Sequence, residues 1–96
     1  MKLYVAGRIS DEKDYKAKFA RACGEVVSMG HEPVNPCDLE HNHGKTWAEF
    51  MVNDIKAMLD CDGVYALNDR QRSRGATIEV ELAISLGKRL VFQGEP

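Results

Sequence analysis

The sequence predicts one α/β domain over residues 1–96, a Rossmann-like or flavodoxin-like three-layer fold with a four-stranded parallel sheet in the order 2-1-3-4. Short apolar segments alternate with segments of helical periodicity, which is typical of a parallel sheet with helices on both faces. No linker, internal repeat or low-complexity segment interrupts the series. The length of 96 residues, 44% of them hydrophobic, suits a single modest core.

The first strand is predicted at residues 2–6, where the apolar run KLYVA ends at Gly7. Ser10 is then expected to cap the first helix and Gly30 to end it, because glycine readily adopts the left-handed conformation that follows a helix. Residues 31–34, HEPV, predict a weak strand at a sheet edge, since proline cannot donate a ladder hydrogen bond. The inward positions of the first helix are expected at Tyr15, Phe19, Ala22 or Cys23, and Val26.

A polar loop at 35–45 leads to the second helix. Thr46 and Glu49 have the T-x-x-E spacing of a capping box, so this helix is expected to begin there and run to about Asp60. Its apolar arc comprises Trp47, Phe50, Met51, Ile55 and Met58, with Trp47 and Met51 expected in the core. The remaining elements are a third strand, a last helix and a last strand, at 63–67, 75–87 and 89–93.

Composition and charge exclude several classes of protein. The formal net charge of -2 gives no basic surface for nucleic acid. The apolar runs are too short to span a bilayer, and the N-terminal MKLYVAG enters a strand without a signal peptide, so we expect no membrane partner. Three cysteines without a Cys-x-x-Cys spacing indicate free thiols in a reducing cytoplasm.

Ligands of open α/β sheets bind beyond the carboxyl ends of the strands, here at the loops 6–10, 35–39 and 68–75. Gly7 permits close approach of the backbone to a ligand, and Arg8 and Ser10 flank a helix N-terminus that would favour an anion. The simpler alternative makes Ser10 only a cap and Arg8 only a surface charge. Ser73, which precedes the last helix, has the same alternative as a cap.

Two carboxylates fall on apolar helix faces. Glu79 lies in the stripe of Ile78, Leu82, Ala83 and Leu86, whereas Glu81 lies about 200° away on the solvent side. Asp54 likewise falls inside the apolar arc of the second helix. A buried carboxylate is costly and is rarely kept without a partner or a task. The structural alternative is that each only caps a loop or pairs with Arg8, Arg72 or Arg74.

Such a pair of carboxyls suits displacement at the anomeric carbon of a sugar. One ionised carboxylate attacks or stabilises the developing cation, and the second manages the proton of the leaving group. Glu79, in the first turns of its helix, is expected to be held ionised by nearby backbone N–H groups.

Metal chemistry is not indicated. His31, His41 and His43 include a His-x-His pair in a loop but no third ligand at a useful spacing, so we predict neither a metal nor a cofactor. The cysteines have apolar neighbours and are expected to pack rather than to react.

Four segments together carry a family resemblance: LYVAGRIS, GHEPVNPCDL, NDIKAMLDCDGVYAL and SRGATIEVELAISLGKRLVF. The last two are the most specific, with Asp54 and Asp62 eight positions apart in sequence, followed by Ser-x-Gly-x3-Glu-x3-Ala-x2-Leu-Gly-Lys. In these motifs the chain resembles the nucleoside 2-deoxyribosyltransferase superfamily, particularly its small deoxyribosyltransferase-like members. It is also similar to the deoxynucleoside 5′-monophosphate N-glycosidases.

The resemblance implies a role for each matching residue. Glu79 occupies the position of the nucleophile that forms a covalent deoxyribosyl intermediate, and Asp54 that of the catalytic aspartate. Arg8, Ser10 and Ser73 match the positions that hold phosphate in members acting on deoxynucleoside monophosphates. Beside what the resemblance implies, Gly7 and Gly75 are expected to contact phosphate or sugar. Trp47, as the alternative to a place in the core, and Asn35 are expected to contact the base. The ligand is then a small nucleotide or nucleoside, and the resemblance also implies a homo-oligomer, a dimer or larger.

The sequence departs from the family pattern in four places. Glu81 and Thr77 stand where the enzymes have glycine, usually and often respectively, and the loop 68–72, NDRQR, is unusually charged. The series is also expected to end with a fourth strand, whereas the characterised enzymes continue to a fifth. Three interpretations follow. The chain is an enzyme that cleaves or transfers the N-glycosidic bond of a nucleotide, a nucleotide-binding or nucleotide-signal module without turnover, or a structural protein without pocket chemistry.

Overall fold

The computed structural model describes residues 1–9, 14–39 and 46–94. Within these residues a fully parallel sheet has the order β2-β1-β3-β4, so the predicted fold class and strand order are confirmed. The strands are β1 (Lys2–Ala6), β2 (Glu32–Val34), β3 (Gly63–Ala66) and β4 (Arg89–Phe92). The helices are α1 (Tyr15–Ser28), α2 (Trp47–Leu59) and α3 (Arg74–Ser85), with short 3₁₀ turns at Pro36–Asp38 and Arg70–Arg72.

Two apolar layers enclose the sheet. Side chains of β1 alternate between them, because successive residues of a strand point to opposite faces. Leu3 and Val5 pack with α1, through the buried Phe19, Ala22 and Val26. Tyr4 and Ala6 pack on the other face with Met58 of α2 and with Ala76 and Ala83 of α3. The inward face predicted for α1 is thus confirmed, although Tyr15 and Cys23 are only half-buried.

The helix ends follow the local signals of the sequence. Thr46 Oγ1 accepts the N–H of Glu49 at 3.2 Å, and Glu49 Oε1 accepts the N–H of Thr46 at 3.0 Å, which is the predicted capping box. After α1, Gly30 has φ 83°. The amides of Gly30 and His31 bond the carbonyls of Val27 and Val26, which forms a Schellman motif. The cap predicted at Ser10 lies outside the described residues.

The loops after β1 and β3 are fastened together at the carboxyl edge of the sheet. The N–H of Leu67 bonds the carbonyl of Ala6 at 2.9 Å, and Asp69 Oδ1 accepts the N–H of Arg8 at 3.1 Å. The ammonium of Lys18 pairs with Asp69 and donates to the carbonyl of Arg8. A Cβ on Gly7 would lie 2.5 Å from Leu67 Cδ1. Glycine is therefore required here by the packing of the protein against itself.

We predict opposite effects for two glycine-to-alanine substitutions. In Gly63→Ala the new Cβ would lie 2.4 Å from the backbone oxygen of Arg89, and the central sheet cannot yield easily, so the free energy of unfolding should fall by about 1–3 kcal/mol. Gly24 lies inside α1 with nothing within 4 Å of its Cβ position, so Gly24→Ala should gain about 0.5–1 kcal/mol. Urea denaturation of both variants measures the two shifts, and equal stability would contradict the expectation.

Candidate active site

A cleft of about 520 Å³ opens at the carboxyl edge of the sheet, between the starts of α2 and α3 and the loop after β1. This volume suits a ligand of nucleotide size. The residues lining it include seven of the nine predicted site residues: Gly7, Arg8, Trp47, Asp54, Ser73, Gly75 and Glu79. Asn35 is not among the lining residues, and its side-chain oxygen accepts the N–H of Cys37 at 2.9 Å. Ser10 lies outside the described residues.

Glu79 lies inside the protein wall of the cleft. Only 4% of its surface is exposed, while Glu81 is exposed on the opposite side of α3, as the helical periodicity predicts. The hydroxyl of Tyr4 donates a hydrogen bond of 2.7 Å to Glu79 Oε2. Tyr4 was missed by the sequence analysis. The signal available was its position in a buried strand, since a buried tyrosine hydroxyl requires a polar partner.

The acidity of Glu79 differs from the expectation. Burial raises its pKa to about 8, the hydrogen bond from Tyr4 lowers the pKa in part, and the negative charge of Asp54 raises it. The carboxyl is therefore mostly protonated at neutral pH. The expectation that backbone N–H groups keep it ionised is wrong, because Glu79 is the sixth residue of α3. The helix dipole acts mainly within the first turn.

Asp54 faces the same cleft from α2. Its side chain is half-buried and lines the cavity, and its charge raises the pKa of both Glu79 and Tyr4. Two helices thus bring their carboxyls to one place, as the interrupted apolar stripes predict. The structural alternative, an ion pair with arginine, does not apply to Glu79. Among the described residues its carboxyl accepts a hydrogen bond from Tyr4 and forms no ion pair.

The mouth of the cleft is cationic. Arg8, Arg72 and Arg74 line it, so the site attracts anions although the chain carries a net charge of -2. Ser73 is the N-cap of α3, and its Oγ accepts the N–H of Ala76 at 3.1 Å. Accepting this bond leaves the hydroxyl proton available to a ligand. Ser73 can therefore cap α3, as the simpler alternative has it, and still donate a hydrogen bond to a phosphate.

Trp47 is not a core residue, contrary to the expectation. It is 44% exposed at the first position of α2, and the guanidinium of Arg74 lies over its ring at 4.3 Å. Met51, expected in the core as well, is buried. Thr77, one of the departures from the family pattern, has a structural task. Its hydroxyl donates to the carbonyl of Arg70 at 3.2 Å and so holds the charged 3₁₀ turn against α3.

The described part of the chain places one thiol at the cleft, that of Cys37. Burial raises the pKa of Cys23, Cys37 and Cys61, which keeps these thiols protonated. The ranges 1–9, 14–39 and 46–94 contain no cluster of three His, Cys, Asp or Glu side chains that could hold a metal. His41 and His43 lie outside them. None of the helices in these ranges has the length and apolar character needed to cross a membrane.

Comparison with known proteins identifies a family. The family described as a domain of unknown function, DUF4406, matches residues 1–92. The chain belongs to the DUF4406 family. A sequence search of curated proteins gives no match for this DUF4406 chain.

A solved structure shows the same fold as the DUF4406 chain. It is the 2-deoxyribosyltransferase of the psychrotolerant bacterium Bacillus psychrosaccharolyticus, described as a biocatalyst for the synthesis of antiviral and antitumoral nucleosides. The TM-score is 0.70 at 21% sequence identity, over 100% of this chain and 76% of that one. The resemblance noted in the sequence is thus confirmed for the fold.

We predict that Glu79 makes the protein less stable as the pH rises. Between about pH 4.5 and 8 the folded protein holds a proton on Glu79 that the unfolded chain has released. The free energy of unfolding should therefore fall by about 1.4 kcal/mol per pH unit across this window. Glu79→Gln should remove this part of the slope, which urea denaturation at a series of pH values measures.

Glu81→Gln, on the exposed side of the same helix, is the matched control and should retain the slope of the wild type. Parallel pH dependences for the wild type and Glu79→Gln would contradict the assignment of a neutral buried carboxyl.

Proposed function

We propose that this protein cleaves or transfers the N-glycosidic bond of a deoxynucleotide or related nucleotide, with Glu79 as the nucleophile. The observation that carries the proposal is the buried carboxyl of Glu79 on the wall of a cleft that Asp54 also faces. Leucine would fill this position in α3 more favourably if packing alone mattered, because burying an acid costs free energy. The likeness to a 2-deoxyribosyltransferase fold supports the same assignment.

The cationic mouth supports a phosphorylated substrate. Arg8, Ser73 and the start of α3 would bind a 5′-phosphate, with Gly75 giving the ligand access to the helix N-terminus. A Cβ at Gly75 would lie 3.0 Å from Met51 Sδ, so a larger residue would narrow this corner. Trp47 remains a proposed contact of the base, whereas Asn35 does not line the cleft and its side chain caps the Pro36–Asp38 turn. Ser10 is proposed as a further phosphate ligand from the sequence alone.

In the proposed reaction, an ionised Glu79 oxygen attacks C1′ of the sugar. The C1′–N bond breaks, its electron pair leaves with the base, and Asp54 assists the proton that the base must acquire. Water then attacks C1′ of the covalent intermediate, Asp54 takes up the proton that the water loses, and the C1′–O bond to Glu79 breaks to return the carboxylate, which gives a hydrolase. Attack by a second base instead gives a transferase. The scheme uses no cofactor.

The first test is base release by Glu79→Gln. The substitution keeps the shape of the side chain and removes the nucleophile, so release from a panel of deoxynucleoside monophosphates should fall roughly a thousandfold or more. Mass spectrometry of the pooled products measures it. Glu81→Gln is the control and should retain activity. Failure of the wild-type protein to release any base would refute the enzymatic proposal.

The pH dependence of the reaction is a second test. The attacking carboxyl must lose its proton, so kcat/KM should rise about tenfold per pH unit until the pH reaches about 8. Tyr4→Phe removes the hydrogen bond that lowers the pKa of Glu79, and should move this limb to higher pH. Stopped assays at fixed substrate across the pH range record the shift. If Tyr4 has only a structural role, Tyr4→Phe will lower the stability of the fold and leave the rising part of the kcat/KM profile at the same pH.

A second candidate function is a nucleotide-binding module of the same fold without turnover. The mostly neutral state of Glu79 favours it, because a protonated carboxyl is a hydrogen-bond donor and not a nucleophile. Thermal stabilisation by a nucleotide without release of base would distinguish this module from the enzyme.

A further inference from the structure

Arg74 and Trp47 form a stack across the mouth of the cleft. Arg74 is the first residue of α3 and Trp47 the first residue of α2, so the stack joins the beginnings of the two helices. The guanidinium lies 4.3 Å from the ring centroid, and both side chains are exposed and line the cleft. The guanidinium of Arg74 therefore covers one face of the indole.

Arg74 and Trp47 would each interact more strongly with a nucleotide than they do with one another. An exposed arginine–aromatic contact is weak. A guanidinium–phosphate pair is stronger, because it forms charge-assisted and often bidentate hydrogen bonds. Arg74 has no carboxylate partner within the described ranges, so it need not break an ion pair there in order to bind a phosphate. The indole in turn offers a flat surface to a base.

We propose that Arg74 and Trp47 act as one exchangeable unit that selects phosphorylated ligands. A phosphate draws the guanidinium of Arg74 off the indole, and the uncovered ring stacks on the base of the same ligand. This inference rests on the proposed function, since it names the ligand class of that site. Arg74 is then a specificity-determining residue that the family resemblance does not point to.

The exchange explains how the cleft discriminates a nucleotide from the corresponding nucleoside. A nucleotide replaces the arginine–indole contact with two contacts, one to phosphate and one to the base. A nucleoside must displace Arg74 to reach the indole and provides no anion in return. Phosphate recognition and base recognition are thereby coupled through a single arginine.

The experiment compares affinities for a deoxynucleoside 5′-monophosphate panel and the matched deoxynucleosides by calorimetry. In Arg74→Gln, nucleotide affinity should fall about tenfold or more, which is the usual effect of losing a hydrogen bond to a charged group. Nucleoside affinity should rise about two- to fivefold, because the indole is no longer covered. The two changes have opposite signs, which a loss of folding cannot produce.

Fluorescence provides a direct reporter, because Trp47 is the only tryptophan of the chain. Inorganic phosphate alone should change its emission in the wild type and leave the emission of Arg74→Gln unchanged. Arg70→Gln is the matched control. It removes a similar stack, with the guanidinium 4.7 Å from the ring of Phe92, and Arg70 is not among the residues lining the cleft. This control should behave as the wild type does.

Three results would overturn the inference while the proposed function stands. First, Arg74→Gln weakens the binding of nucleotide and nucleoside equally, which shows a structural role for Arg74. Second, Arg74→Gln leaves nucleoside affinity unchanged, which makes Arg74 an ordinary phosphate ligand. Third, inorganic phosphate leaves the emission of the wild type unaltered. A wild-type protein that binds neither ligand class and releases no base would instead refute the proposed function, and this inference with it.

Discussion

A tyrosine hydroxyl meets a glutamate carboxyl in the apolar layer between the sheet and α3, and the geometry of the site depends on that contact. The bond from Tyr4 to Glu79 is possible only because α3 lies close to β1. Small side chains on α3 allow this approach, since Ala76 and Ala83 are fully buried against the sheet. Without the tyrosine, a buried carboxyl oxygen would lack its donor, which is the costly situation in a protein interior. The hydroxyl of Tyr4 thus lowers the cost of burying the Glu79 carboxyl in an otherwise apolar wall.

In the proposed function, binding and chemistry place opposite demands on this site. The arginines at the mouth attract an anion, and the negative charge of a bound phosphate disfavours ionisation of the acid beside it. Asp54 acts in the same direction by raising the pKa of Glu79. The guanidinium groups of Arg8, Arg72 and Arg74 line the same cleft. In the proposed reaction, cations of this kind would favour the ionised form of the carboxyl that must lose its proton.

Much of the fold was predictable because local signals and packing agree. The capping box at Thr46 and the glycine after α1 fix helix ends through contacts within a few residues, which a sequence displays directly. The periodicity of α3 separated the buried Glu79 from the exposed Glu81, since the angle between helical residues is nearly constant. The proline in β2 indicated the edge strand for a similarly local reason.

The errors arose where an outcome depends on elements distant in sequence. Trp47 belongs to the apolar arc of α2, but at the first position of that helix its ring is exposed and meets Arg74. Tyr4 resembled any other apolar strand residue, because its partner lies on a helix far along the chain. Predicting the pKa of Glu79 requires knowing how deeply the carboxyl is buried, which helical periodicity does not give.

The strand order has a consequence for how the molecule is made. β1 is hydrogen-bonded on both sides, to β2 and to β3, although it is the first of these strands to leave the ribosome. It therefore emerges before either neighbour exists, and its pairing with β3 must wait until α1, β2 and α2 have been made. Assembly of the middle of the sheet waits for the closure of a long loop, which makes folding slow for so short a chain. Until then the apolar KLYVA segment is available to chaperones and to aggregation.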